Sequence, residues 1–197
     1  MSVAIGILGE EFCLLFADSR CIIAENGIVT IKDDARKIYR LNKELAFAVV
    51  GTLNLGEEID APFSTANRVA LNVDTARKQV VEYICNSSYS EHLPKRTYII
   101  GGKDLSGNLC IKYVRNDGSG NIECDEVIYP DGGEKMSLWL PPKLEPNKDY
   151  YTERLTKYVM LNNGTTIQAR IHRFVKELAA DTQTINTNVR CEWISKD

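Results

Sequence analysis

The apolar positions of the first fifty residues alternate or run in short blocks, and each block ends at turn-forming residues. Val3, Ile5 and Ile7 alternate with Ser2, Ala4 and Gly6, and an apolar run from Phe12 to Ala17 follows the turn Gly9-Glu10-Glu11. Period-two alternation marks a strand with one buried face, and a short apolar run marks a strand buried on both. Further strands are predicted over 28–32, 36–40 and 45–50, separated by Asn26-Gly27, Asp33-Asp34 and Leu41-Asn42-Lys43. A strand beginning at the second residue pins the chain end in a sheet, where ends are otherwise loose.

From 52 to about 89 the period becomes helical. Ala76, Val80, Tyr83 and Ile84 share one face, with Asp74 as the expected N-cap, and a weaker helix precedes them over 64–71. Strands return over 97–100, ending at Gly101-Gly102, then over 109–115 and 122–129. Residues 130–146 hold four of the six prolines and read as an irregular loop, packed down by Leu138, Trp139 and Leu140. A helix is predicted over 149–161. A strongly amphipathic one follows, with Ile167, Ile171, Phe174, Val175 and Leu178 on one face and Thr165 or Thr166 as cap. A strand over 188–194 closes the chain. Strands, helices, strands, helices, strand is the order of an α+β fold: a four-layer αββα sandwich, two sheets covered by helices, as one domain over 1–197.

The composition narrows the partners. Of 197 residues, 44% are hydrophobic and 26% charged, with a formal net charge of −3, which is ordinary for a soluble globular protein. No cluster of Lys and Arg is dense enough to follow a phosphate backbone, so nucleic acid is not the expected partner. No apolar run reaches membrane-spanning length and no secretory leader is visible, which points to the cytoplasm. Cys13, Cys21, Cys85, Cys110, Cys124 and Cys191 form no C-x-x-C pair and read as buried free thiols in a reducing compartment. With only His92 and His172, there is little material for a histidine metal site or a Ser-His-Asp triad, and no metal or cofactor is implied.

Four features then stand in order: the opening strand Ser2-Val3-Ala4-Ile5-Gly6-Ile7, the strand end Asp18-Ser19-Arg20, the pair Lys37-Ile38, and Gly51. Their set and spacing resemble the proteasome β-type subunits and the wider N-terminal-nucleophile hydrolases. The likeness is clear from Ser2 to about Gly56, moderate around Gly101-Gly102 and the last helix and strand, and poor over 130–163. The resemblance implies a nucleophile at Ser2, freed when Met1 is removed, whose own α-amine accepts the hydroxyl proton. An α-amine with a pKa of about 7.7–8.0 is partly neutral near pH 7. It further implies that the Lys37 charge favours the deprotonated nucleophile, that Asp18 holds Lys37, and that the Gly51 N–H stabilises the oxyanion. Asp181 and Thr184 keep the family's Asp-x-x-hydroxyl spacing. The family's Gly-Ser-Gly turn is not evident; Asp131-Gly132-Gly133-Glu134 stands in its place, with Ser137 nearby.

Each residue also has a plain structural reading. Asp18 and Arg20 could form an ion pair at a strand end, Lys37 could lie on a solvated basic strand, and Gly51 could simply end a strand. Two functions follow. The first is a hydrolase, peptidase or amidohydrolase, acting on peptides or small amides as a homo-oligomer. The alternative is a non-catalytic proteasome-like subunit that keeps Met1, with assembly or binding as its role. In that case Ser2 has no free amine.

Overall fold

The computed structural model describes residues 2–25, 28–51, 60–63, 65–87, 95–119, 121–127, 134–161 and 164–197. Met1, the Asn26-Gly27 turn, Ser64, His92, Asp131-Gly132-Gly133 and Asn162-Asn163 lie outside them, as do residues 52–59 and the end of the strand expected over 122–129.

The opening hairpin forms as its pattern dictates. β1 (Ala4–Leu8) pairs antiparallel with β2 (Phe12–Asp18), from Ala4↔Ala17 to Leu8↔Cys13. The Gly9 N–H closes the turn on the Phe12 carbonyl at 2.9 Å. β3 (Cys21–Glu25) and β4 (Ile28–Lys32) form a small two-stranded sheet of their own. Then come β5 (Ile38–Asn42), β6 (Leu45–Gly51), α1 (Val73–Ser87), β7 (Arg96–Lys103), β8 (Leu109–Asn116), β9 (Ile122–Val127), β10 (Lys135–Trp139), α2 (Lys148–Met160), α3 (Ile167–Asp181) and β11 (Val189–Ser195). One sheet has the order β10-β1-β2-β11 and another the order β5-β6-β7-β8-β9.

Three apolar clusters hold this mixed α/β fold together. Ile5, Ile7, Leu14 and Phe16 from the β1–β2 hairpin meet Leu155 of α2 and Ile171, Phe174 and Leu178 of α3. Phe47, Tyr98, Ile100 and Val114 of the five-stranded sheet meet Val73, Ala76, Val80 and Ile84 of α1. In a third cluster, Ala4, Leu8, Cys13 and Leu15 join Ala46, Ala48, Ile99 and Ile111, side chains from both sheets. Residues of opposite parity on β1 and β2 therefore enter different clusters, which is why the whole Phe12–Ala17 run is apolar.

Several expectations are corrected. Residues 135–139 are a strand within the expected proline-rich loop: β10 pairs with β1, Ala4↔Trp139 through Leu8↔Lys135, and buries Leu138. β7 does not stop at Gly101-Gly102 but runs through both to Lys103. A Cβ at Gly101 would lie 2.7 Å from Cys13 Sγ, and one at Gly102 would lie 2.1 Å from the Glu44 carbonyl oxygen. These glycines permit close approach and do not break the strand. The weaker helix before α1 is a 3-10 helix over Thr65–Ala70. The cap of α1 is Asn72, not Asp74: Asn72 Oδ1 accepts from the Thr75 N–H, and Thr75 Oγ1 accepts from the Asn72 N–H, both at 3.0 Å. Thr166 caps α3 as expected, accepting from the Ala169 N–H at 3.2 Å. The six cysteines form no disulfide, but Cys85, Cys124 and Cys191 are exposed.

Candidate active site

Ser2 sits at the entry to β1 and is 4% exposed. Asp18 ends β2, and the hairpin brings the two ends together. The Val3 N–H donates to Asp18 Oδ1 at 3.0 Å, and the Asp18 N–H donates to the Val3 carbonyl at 3.3 Å. The Arg20 N–H donates to the other carboxylate oxygen at 3.0 Å.

Lys37 reaches this corner from the residue before β5. It is 1% exposed, so the reading of a solvated basic strand fails. Its Nζ donates to Ser2 Oγ at 2.7 Å and to Asp18 Oδ1 at 3.2 Å. The Arg20 carbonyl accepts its remaining close bond. The ammonium thus has three oxygen partners, matching its three donors. The Arg20 side chain is not the ion-pair partner of Asp18. Its guanidinium grips Asp33 through Nε at 2.6 Å and Nη2 at 2.9 Å.

Burial shapes the charges of this corner. It pushes the Asp18 carboxyl up and the Lys37 ammonium down, because both charged forms lose water. Their mutual attraction opposes both shifts, helped at Asp18 by the two backbone N–H donors. The Arg20 hydrogen bond holds exposed Asp33 below the usual carboxylate range.

Gly51 ends β6 opposite Arg96 of β7 and lines the same cleft as Ser2. Its φ is +120°, and a Cβ there would lie 2.3 Å from the Lys95 carbonyl oxygen and 2.9 Å from Arg96 Cα. The strand pair itself therefore demands glycine, whatever passes through the cleft. Leu140, Pro141 and Pro142 form an apolar wall of this cleft.

No protein-family model and no curated protein matches the chain. A solved structure does: the crystal structure of eukaryotic HslV from Trypanosoma brucei. The superposition has a TM-score of 0.54 at 13% identity, covering 98% of this chain and 99% of that one. The chain has an HslV-like fold. At this identity the likeness concerns the fold alone.

Within the HslV-like fold, the remaining two candidates take other hydrogen-bond partners. Asp181, the last residue of α3, is exposed and accepts a hydrogen bond from the Tyr151 hydroxyl at 2.9 Å. Thr184 Oγ1 pairs with Thr182 Oγ1 at 3.1 Å. Among the described residues, neither is bonded to Ser2, Asp18 or Lys37. Ser137 lies in β10 opposite Gly6.

The segment after α3 is nevertheless tied to the base of the corner. Arg20 Nη1 donates to the Gln183 carbonyl at 2.8 Å, and the Ser19 N–H donates to Asn186 Oδ1 at 3.2 Å. Asn186 Nδ2 donates to the Asp33 carbonyl at 3.2 Å. Sequence reading missed Asp33 and Asn186 as supports. Asp33 had a signal, a carboxylate close in sequence to Lys37; Asn186 had none, because its partners are distant along the chain.

Proposed function

We infer that this chain is a proteasome-type N-terminal-nucleophile hydrolase that cleaves peptide or small amide bonds with Ser2 once Met1 is removed. The observation that carries the reading is the bond between Lys37 Nζ and Ser2 Oγ, with Asp18 behind the ammonium and Gly51 on the same cleft. The likeness to HslV, itself a proteasome-type hydrolase, supports it at the level of fold. The three apolar clusters support the finer reading of the architecture as a four-layer αββα sandwich in a single domain.

The chemistry follows from the corner. The freed α-amine of Ser2 takes the proton from Oγ, and Oγ attacks the carbonyl carbon of the substrate. The Lys37 charge, 2.7 Å away, favours the developing alkoxide. The Gly51 N–H holds the oxyanion of the tetrahedral adduct. The amine leaves with the proton, an ester of Ser2 remains, and water hydrolyses it to the acid and free Ser2. The active form is a cytoplasmic homo-oligomer working without metal or cofactor.

Intact-mass measurement of natively produced protein, with a β-lactone probe, tests this. The expected result is a mass lacking methionine and an adduct on Ser2 that the Ser2→Ala variant does not form. A mass that always includes methionine, or an unlabelled Ser2, overturns it. The placement of Asp181 against Tyr151 instead of Ser2 favours a second reading, a non-catalytic subunit that keeps Met1 and serves assembly. Ser2 labelling rules that out as a complete account.

A further inference from the structure

The cleft beside Ser2 continues into a second cavity. Val50, Thr97 and Arg115 stand opposite one another on β6, β7 and β8, so their side chains share one face of the five-stranded sheet. This row lines both the Ser2 cleft and the second cavity, and so do Leu140 and Pro142 on the other side. A chain held at Ser2 therefore has an open path for a neighbouring side chain into that cavity.

Two aromatic rings from different sheets line it. Tyr113 lies two residues before Arg115 on β8 and shares its face, and Trp139 ends β10 in the four-stranded sheet. Their centroids are 5.9 Å apart at 79°, an edge-on pair. Both rings are held in place. The Tyr113 hydroxyl donates to Asp125 Oδ2 at 2.9 Å, and the Trp139 ring lies against Gly6, where a Cβ would stand 3.4 Å from Cζ3. Pro142 and Pro146, with their fixed φ, stiffen the wall. A surface set in this way loses little freedom when a ligand arrives. The cavity holds about 520 Å³, within the range of about 300–1,000 Å³ typical of pockets for small ligands. Its described charged residues each have an opposite charge beside them: Arg115 is 3.7 Å from Glu123, and Lys148 is 3.3 Å from Glu145. Recognition there falls to apolar and aromatic surface.

We propose that this cavity takes an aromatic side chain of the substrate, flanking the bond presented to Ser2. A ring suits it better than an aliphatic chain, because Tyr113 and Trp139 offer edge and face contacts beyond plain burial. The proposal rests on the hydrolase reading for the position of the reacting bond. Binding of the ring does not depend on the chemistry.

The chain has two tryptophans, and Trp193 stacks on Phe12 from β11. The Trp193→Phe variant keeps a ring in that stack and leaves Trp139 as the one indole. The test titrates this full-length variant with N-acetylated, C-amidated peptides that differ at one residue: Phe, Leu, Ala or Lys. The Phe peptide should bind about ten-fold tighter than the Ala peptide, the scale of burying one large apolar side chain. It should bind about three-fold tighter than the Leu peptide, the scale of one aromatic contact. Its binding should also shift the Trp139 emission to shorter wavelength, as the ring displaces water. Pro142→Asp, a change at an exposed position on the shared wall, should abolish the preference, and Trp139→Leu should remove the advantage of Phe over Leu in calorimetry. If Trp139→Leu fails to fold, Pro142→Asp decides. Equal binding of all four, no measurable binding, a Leu or Lys peptide that binds best, unchanged Trp139 emission, or a preference untouched by Pro142→Asp overturns the proposal. Emission that shifts with protein concentration alone also overturns it, and gives the cavity to a second copy of the chain. The β-lactone experiment separates the two readings. Labelled Ser2 without aromatic preference keeps the hydrolase and removes this inference; preference without labelling does the reverse.

Discussion

Val3 and Asp18 exchange hydrogen bonds across the mouth of the opening hairpin: the Val3 N–H donates to the Asp18 carboxylate, and the Asp18 N–H donates to the Val3 carbonyl. One residue thus fixes the backbone next to Ser2 and also supplies the counter-charge of Lys37.

Asp18→Asn leaves the Lys37 ammonium buried without its carboxylate. Breaking a buried pair on one side costs about 3–5 kcal/mol. We expect a loss of about that size in urea unfolding. The double variant Asp18→Asn/Lys37→Met, which removes both charges, should recover a large part of it. A single variant as stable as the parent would mean that Lys37 is not charged in the folded protein.

Gly51→Ala and Gly107→Ala should differ although both glycines have positive φ, +120° and +83°. A Cβ at Gly107 meets nothing within 4 Å, so only the backbone penalty of about 1 kcal/mol applies. At Gly51 the same penalty adds to a collision with the Lys95 carbonyl, for a total of about 3 kcal/mol or more. Comparison of melting temperatures checks this. Equal shifts would show that the β6–β7 pair yields easily.

Asp74 has its carboxyl held below the usual carboxylate range by the hydrogen bond from Lys112 Nζ at 2.6 Å. A carboxyl with a depressed folded pKa contributes stability above its unfolded value near 3.9, and that contribution is lost as pH falls through the depressed value. Asp74→Asn should therefore cost about 1 kcal/mol at pH 7 and less as the pH falls below about 4. Unfolding curves at pH 7 and pH 3 measure the difference. A gap that does not narrow would rule out the ion pair as its cause.

Asn72→Ala removes the side-chain acceptor that caps α1 and should cost about 1 kcal/mol, with no dependence on acid pH. Denaturant midpoints of this variant and of Asp74→Asn, taken across the same pH series, distinguish cap from ion pair. If Asp74→Asn showed the flat profile instead, the two roles would be exchanged.

The Asp74 assignment shows where sequence reading stops. Asp74 and Asn72 are both good caps by residue type; the reciprocal bonds of Asn72 with Thr75 and the arrival of Lys112 from β8 at Asp74 decide between them. The opening hairpin, β6 and the apolar face of α3 were legible because local periodicity reports burial directly. The Ser2–Asp18–Lys37 corner was legible only as a spacing, and the structure supplies the contacts. β10 was hidden by its flanking prolines and by a partner, β1, at the other end of the chain. Gly101 and Gly102 read as a stop because nothing local reveals that Cys13 and Glu44 press against them.

The pairing of β2 with both β1 and β11 also orders events in time. On a ribosome, β1 and β2 emerge early, but their flanking strands, β10 and β11, come from the last third of the chain. Contacts this distant in sequence close slowly. Until they do, the hairpin carrying Ser2 has two unprotected edges, each able to recruit a strand from another molecule. A chaperone that shields this hairpin during synthesis would raise the yield of folded protein more than one acting on α1 and its sheet.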